Sequence, residues 1–139
     1  MTNTPFSNRK FPPVPILNIR LGQIEEPPGE RVFQALVDTG SDFSLAPRRF
    51  LVDLEIPEYE VATVRGLWGP RQQAMMYIVD IHLEARVIPA VEIVGVPDGG
   101  SAFENEEIIL GRNVLNKLIL LIEGTKQQTT ILERRPLRF

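Results

Sequence analysis

The chain has 139 residues, 43% of them hydrophobic and 24% charged, with 15 Lys plus Arg against 18 Asp plus Glu for a net charge of −3. That length suits one domain with its own core and excludes a two-lobed enzyme of twice the size. The mild acidic balance, free of long single-sign runs, sets duplex nucleic acid aside as main partner, and the absence of cysteine removes disulfides, thiolate nucleophiles, zinc fingers and iron–sulfur ligation together.

Residues 1–13 carry Pro5, Pro12 and Pro13 among polar neighbours, which favours an extended N-terminal arm over a helix. The arm lacks the apolar stretch of a signal peptide, and the longest apolar run, residues 118–122, is too short for a membrane helix, so a soluble, cytoplasmic protein with no membrane partner is expected. In residues 16–21, Leu17, Ile19 and Leu21 alternate with Asn18 and Arg20, the period of a strand with one buried face. After a turn at Pro27, Pro28 and Gly29, residues 32–37 are apolar except Gln34, which predicts a strand covered on both faces. Short strands follow at residues 43–45, closed by Pro47, and 59–64. Tyr77, Val79, Ile81 and Leu83 then alternate with Ile78, Asp80, His82 and Glu84, so residues 61–83 read as a long hairpin turning at 66–70. Residues 87–94 add a strand broken by Pro89. One short helix is expected at 112–118, begun at Gly111 or Asn113, then a strand at 118–122 with 129–132 pairing back across Gly124. Seven or eight short strands and one helix indicate an all-β sandwich or barrel.

The segment Ala35-Leu36-Val37-Asp38-Thr39-Gly40-Ser41-Asp42 sets a carboxylate at the end of an expected buried strand. A charge is kept there only if hydrogen bonds or a shared proton offset desolvation, which makes Asp38 a candidate functional group. By itself the same segment also reads as a plain turn, with Asp accepting backbone hydrogen bonds and Gly supplying conformational freedom. A second segment, Ile108-Ile109-Leu110-Gly111-Arg112-Asn113, lies well downstream.

Together the two resemble the retropepsin-type aspartic proteases. The family's pattern is an apolar strand ending in Asp-Thr/Ser-Gly-Ser/Ala, a glycine-bearing flap hairpin, and two apolar residues with Gly before a short helix. The retroviral members add an Asp two positions after the loop glycine and Gly-Arg-Asn at the helix start, as do Asp42 and Gly111-Arg112-Asn113 here. The resemblance spans residues 14–122 and implies a closed β-barrel-like acid-protease fold for residues 14–132, followed by a basic tail at 133–139. It further implies that Asp38 is catalytic, that Thr39 braces the loop against a partner subunit, and that Gly40 offers its N–H to the carboxylate. Ser41 would donate its hydroxyl to the same carboxylate, lowering the operating pH relative to Ala. Asp42 and Arg112 would form a structural ion pair, and Gly66, Leu67, Trp68 and Gly69 would belong to a flap touching substrate. Trp68 reads equally as a hairpin anchor, and Pro70 leaves the register of that hairpin open.

Acid proteolysis needs two carboxylates sharing one proton, because two like charges that close cannot both ionise. Only one Asp-Thr-Gly loop is present, so the expected assembly is a homodimer with both Asp38 side chains on the twofold axis, acting on a peptide or protein substrate through activated water. No metal or cofactor is expected. The alternative is a catalytically silent retropepsin-like module that dimerises or binds peptide. A third reading, a small β-barrel without groove chemistry, makes Asp38 a turn residue. His82, the one histidine, reads as a surface residue. Gly124-Thr125-Lys126 lacks the upstream glycine of a phosphate loop, the Gly66/Gly69 spacing lacks the flanking helices of a KH module, and Arg134, Arg135 and Arg138 read as a solvated end.

Overall fold

The computed structural model describes residues 2–65, 71–97 and 107–137. The arm contains β1 (Thr2–Pro5), and the alternation after it becomes β2 (Ile16–Gly22), which buries Leu17, Ile19 and Leu21 and leaves Asn18 and Arg20 exposed. Strand β3 (Phe33–Val37) departs from the sequence reading. Only Phe33 and Ala35 are buried, while Leu36 and Val37 are half-buried and Gln34 and Val32 are exposed, so this strand is covered on one face rather than two.

The expected strand at 43–45 is β4 (Ser44–Pro47), and it runs directly into a helix absent from the sequence reading, α1 (Arg48–Asp53). Its N-cap is Pro47, with no side-chain cap and no acidic residue in its first turn, so the usual start signals are missing. Tertiary packing holds it instead. Phe50 and Leu51 are buried, and the Phe50 ring lies 4.9 Å from that of Phe33 with the Arg31 guanidinium 4.5 Å above it.

The long hairpin is β5 (Glu58–Arg65) with β6 (Arg71–His82), and β6 also pairs with β7 (Val87–Val96). Pro89 does not end β7. The β6–β7 register shifts between Val79 and Ile81, Ala90 takes a φ of 51°, and buried Asp80 accepts the N–H groups of Ala90 at 2.9 Å and Glu25 at 2.8 Å. The bulge therefore has its own acceptor. His82 is half-buried and its Nε2 is sealed from water without a hydrogen-bond partner, so it is not the open surface residue expected.

After β8 (Ile108–Leu110), the expected helix is a single turn, α2 (Arg112–Leu115), capped at Gly111 rather than Asn113. The chain ends in the hairpin of β9 (Ile119–Glu123) and β10 (Gln128–Leu132), with β1 laid antiparallel on β10. The larger sheet runs β2-β3-β8-β4-β7-β6-β5, and a β2–β6 pairing closes six of its strands into a barrel with β5 outside. Leu17, Ile19, Leu21, Val79, Ile81, Ile93 and Leu110 form its core with Val114 and Leu115 of α2. Each fully buried side chain of this kind contributes about 1.5–3 kcal/mol. Among the described residues no helix is long and apolar enough to cross a membrane.

Candidate active site

Strand β3 pairs in parallel with β8, from Ala35↔Ile108 to Val37↔Leu110, and β4 meets β8 antiparallel at Leu45↔Ile109. The six residues between β3 and β4, Asp38 to Phe43, are thereby drawn over the end of β8 and the Gly111 corner. The first bond of the loop is the Asp38 N–H donating to Leu110 O at 3.0 Å, and its return is the Arg112 N–H donating to Ser41 O at 2.8 Å. The loop also closes on itself, the Ser41 N–H donating to Asp38 O at 3.2 Å. Gly111 is the contact point. A Cβ there would overlap the Phe43 carbonyl and come within 2.8 Å of Ser41 O, so only glycine lets the backbones approach this closely.

Asp38, Thr39 and Gly40 are all exposed, and the Gly40 N–H donates to Asp38 Oδ1 at 2.9 Å. The Ser41 hydroxyl is not turned to that carboxylate. It donates to the Phe43 carbonyl at 2.6 Å, so the expected acid shift through Ser41 loses its basis and Ser41 braces the loop instead. Arg112 reaches across from α2, with Nη1 donating to Thr39 O at 2.7 Å and Nη2 paired with Asp42 Oδ1. Asp42 and Arg112 are thus brought together, but both are well exposed to solvent, where such a pair adds little energy. Gly66, Leu67, Trp68 and Gly69, the expected flap tip, lie outside the described residues. The hairpin leading to them places Ala62 and Val64 of β5 against Ala74, Met76 and Val94, with Leu45 of β4.

A buried network under the loop was not apparent in the sequence. The Gly111 N–H donates to Ser44 Oγ at 3.0 Å, Ser44 Oγ donates to Asn113 Oδ1 at 2.9 Å, and Asn113 Nδ2 donates to Glu92 O at 2.7 Å. Ser44 is fully buried, and this chain of bonds ties β4, the glycine corner, α2 and β7 into one support. The available signal was a hydroxyl inside the apolar run Phe43-Ser44-Leu45-Ala46, since a buried polar group requires a partner. Among the described residues no group of three or more His, Asp or Glu converges as a metal site.

No family model matches the sequence, and no curated protein matches it. Solved structures do. A retropepsin-like aspartic protease from Rickettsia conorii superposes with a TM-score of 0.60 at 12% identity, over 94% of this chain and 89% of that one. The chain has the retropepsin fold. EIAV protease, in complex with the inhibitor HBY-793, gives 0.56 at 19% identity over 82% and 93% of the two chains. The retroviral protease-like domain of Ddi1 from Leishmania major gives 0.51 at 17% over 87% and 91%. Within the retropepsin fold of this chain, the Asp38 loop stands between β3 and β4 on the Gly111 corner, its carboxylate open to solvent.

Proposed function

We propose that the protein is an aspartic endopeptidase that acts as a homodimer, with one Asp38 from each copy forming the catalytic pair. The observation that carries this reading is the exposed Asp38 carboxylate, held by the Gly40 N–H on a loop braced from beneath by Gly111 and Arg112, in a chain that has a single such loop. A lone carboxylate cannot be general acid and general base in the same step. Two of them sharing one proton are a general acid and a general base side by side. The ionised member takes a proton from water as it attacks the peptide carbonyl, and the protonated member gives its proton to the carbonyl oxygen. Collapse of the tetrahedral intermediate delivers the water-derived proton to the leaving nitrogen while the other carboxylate takes a proton back from a diol hydroxyl, so the pair ends with the one proton it began with. Thr39, Gly40 and Ser41 shape the loop, Asp42 and Arg112 brace it, and Gly66, Leu67, Trp68 and Gly69 are proposed to cover the substrate.

The experiment is digestion of a peptide library between about pH 3 and 7, with and without a hydroxyl-bearing transition-state mimic, by the wild-type chain and by Asp38→Asn. The expected result is inhibitor-sensitive cleavage by the wild type, absent in Asp38→Asn while that variant stays folded. Peptide binding without cleavage across the range, unchanged in Asp38→Asn, would replace the enzyme with the silent binding module.

A further inference from the structure

Two buried aromatic rings of the chain are roofed by positive charge. Phe33 opens β3 and Phe50 lies in α1, and their ring centroids are 4.9 Å apart. The Arg31 guanidinium sits 4.7 Å from the Phe33 centroid and 4.5 Å from that of Phe50, and the Arg49 guanidinium lies 5.0 Å from the Phe50 centroid. Measured from one ring, the two charges stand at most about 10 Å apart, near enough to act together on one anionic segment at physiological salt. Arg48 beside them is already engaged, its Nε donating to the Tyr77 hydroxyl at 3.1 Å and its Nη2 reaching Glu58 at 3.4 Å. Arg31 is exposed, and among the described residues the two rings are its only partners, so its five N–H donors are unused. A guanidinium already held over rings loses little freedom when its fork takes a carboxylate.

We propose that Arg31 and Arg49 form a docking site for an acidic segment of a polypeptide, seated away from Asp38. The sign of the occupant follows from charge complementarity, since two cations gather on one ring in a chain whose net charge is −3. Its polymeric nature follows from Val52, which stands one helical turn from Arg49, is 53% exposed and sets an apolar surface beside the charges. The choice of a polypeptide also rests on the endopeptidase reading. Strand β3 runs from this patch to Asp38 over five residues, about 16 Å, and β4 leads from the other end of the loop back to α1. The patch therefore lies at the far end of both strands that carry the loop, and filling it leaves the Asp38 carboxylate open. A protein substrate would be held there by a segment outside the stretch being cut.

The test is fluorescence anisotropy of a labelled peptide of Glu and Leu, compared with a twin carrying Gln at every Glu, on the wild-type chain near pH 8, above the range proposed for cleavage. The Glu peptide is expected to bind about tenfold or more tightly than the Gln twin, with an affinity that falls as salt rises. Arg31→Gln is expected to remove that preference and Arg49→Gln to reduce it, while Arg20→Gln, at an exposed position of β2, leaves it unchanged. Arg31→Lys, which keeps the charge without the fork, is expected to bind more weakly than wild type, and it decides with the salt series should Arg31→Gln not fold. Equal binding of the two peptides, a preference indifferent to both arginines, or displacement by inorganic phosphate at the peptide's own concentration overturns the site, the last by reducing it to a general anion contact. The expected binding without cleavage of any peptide would sink the endopeptidase reading and spare the patch. Cleavage without a charge preference at Arg31 would sink the patch alone.

Discussion

The loop that carries Asp38 and the corner on which it rests are built in opposite ways. Asp38, Thr39, Gly40 and Asp42 are exposed, and the charged contact that Asp42 makes with Arg112 of α2 is open to water. A few ångströms below, Ser44 and Gly111 are buried, the hydroxyl of Ser44 makes two hydrogen bonds, and Gly111 leaves no room for a methyl group. The Asp38 carboxylate, the proposed catalytic group, is offered on a buried base while its own surroundings are left unfilled. The proposed pairing of two Asp38 carboxylates fits that arrangement, because burial within one chain would neutralise the group before a partner arrived.

If the contrast is real, stability falls off steeply from the corner to the tip. Gly111→Ala, which forces a Cβ into the Phe43 carbonyl, is expected to destabilise by about 3 kcal/mol in urea unfolding; a change below about 0.5 kcal/mol would mean the corner is loose. Ser44→Ala strips the Gly111 N–H and Asn113 Oδ1 of their partner in a buried place, with an expected loss of about 2 kcal/mol by the same measurement. Arg112→Ala removes the exposed pair with Asp42 and the bond to Thr39 O, and thermal unfolding should register less than about 1 kcal/mol. A larger loss there would move the support of the loop from its floor to its rim.

The smallest effect lies at the end of β9. The Gln128 side-chain amide donates to Glu123 at 3.0 Å, and with nearby Lys126 it holds the Glu123 carboxyl below its usual range. A carboxyl with a lowered folded value favours the fold above its ordinary range, and that contribution fades as pH falls through the lowered value. Gln128→Ala is expected to return the Glu123 titration, followed by carboxyl NMR, upward toward the ordinary range. An unmoved titration would put the cause elsewhere.

Legibility in the sequence followed the range of the interactions. Strand β2, the β5–β6 hairpin and the β9–β10 return were readable because a period of two and a turn are local features. The Asp38 loop and the Gly111-Arg112-Asn113 corner were readable as motifs, and the structure brings them into contact. Helix α1 was not, since it lacks a cap and is held by Phe50 and Leu51 packing into the core. Strand β1 was read only as an extended arm because Thr2-Asn3-Thr4-Pro5 has no strand pattern until β10 supplies its partner from the far end of the chain. Asp80 looked like the polar side of a strand, yet its carboxylate is buried by bonds to Glu25 and Ala90, which no spacing announces. The direction of the Ser41 hydroxyl was likewise set by a neighbouring carbonyl rather than by residue type.

The pairing of two Asp38 carboxylates is tested most directly by mixing. Wild-type chain and Asp38→Asn chain, combined in equal amounts and allowed to exchange subunits, would form mixed dimers carrying one carboxylate each. If the site needs both, cleavage of a library-derived peptide per total chain falls to about a quarter of the undiluted wild type, since only wild-type pairs act. A fall to about one half, the proportion of wild-type chains, would show that each Asp38 works alone and would contradict the account.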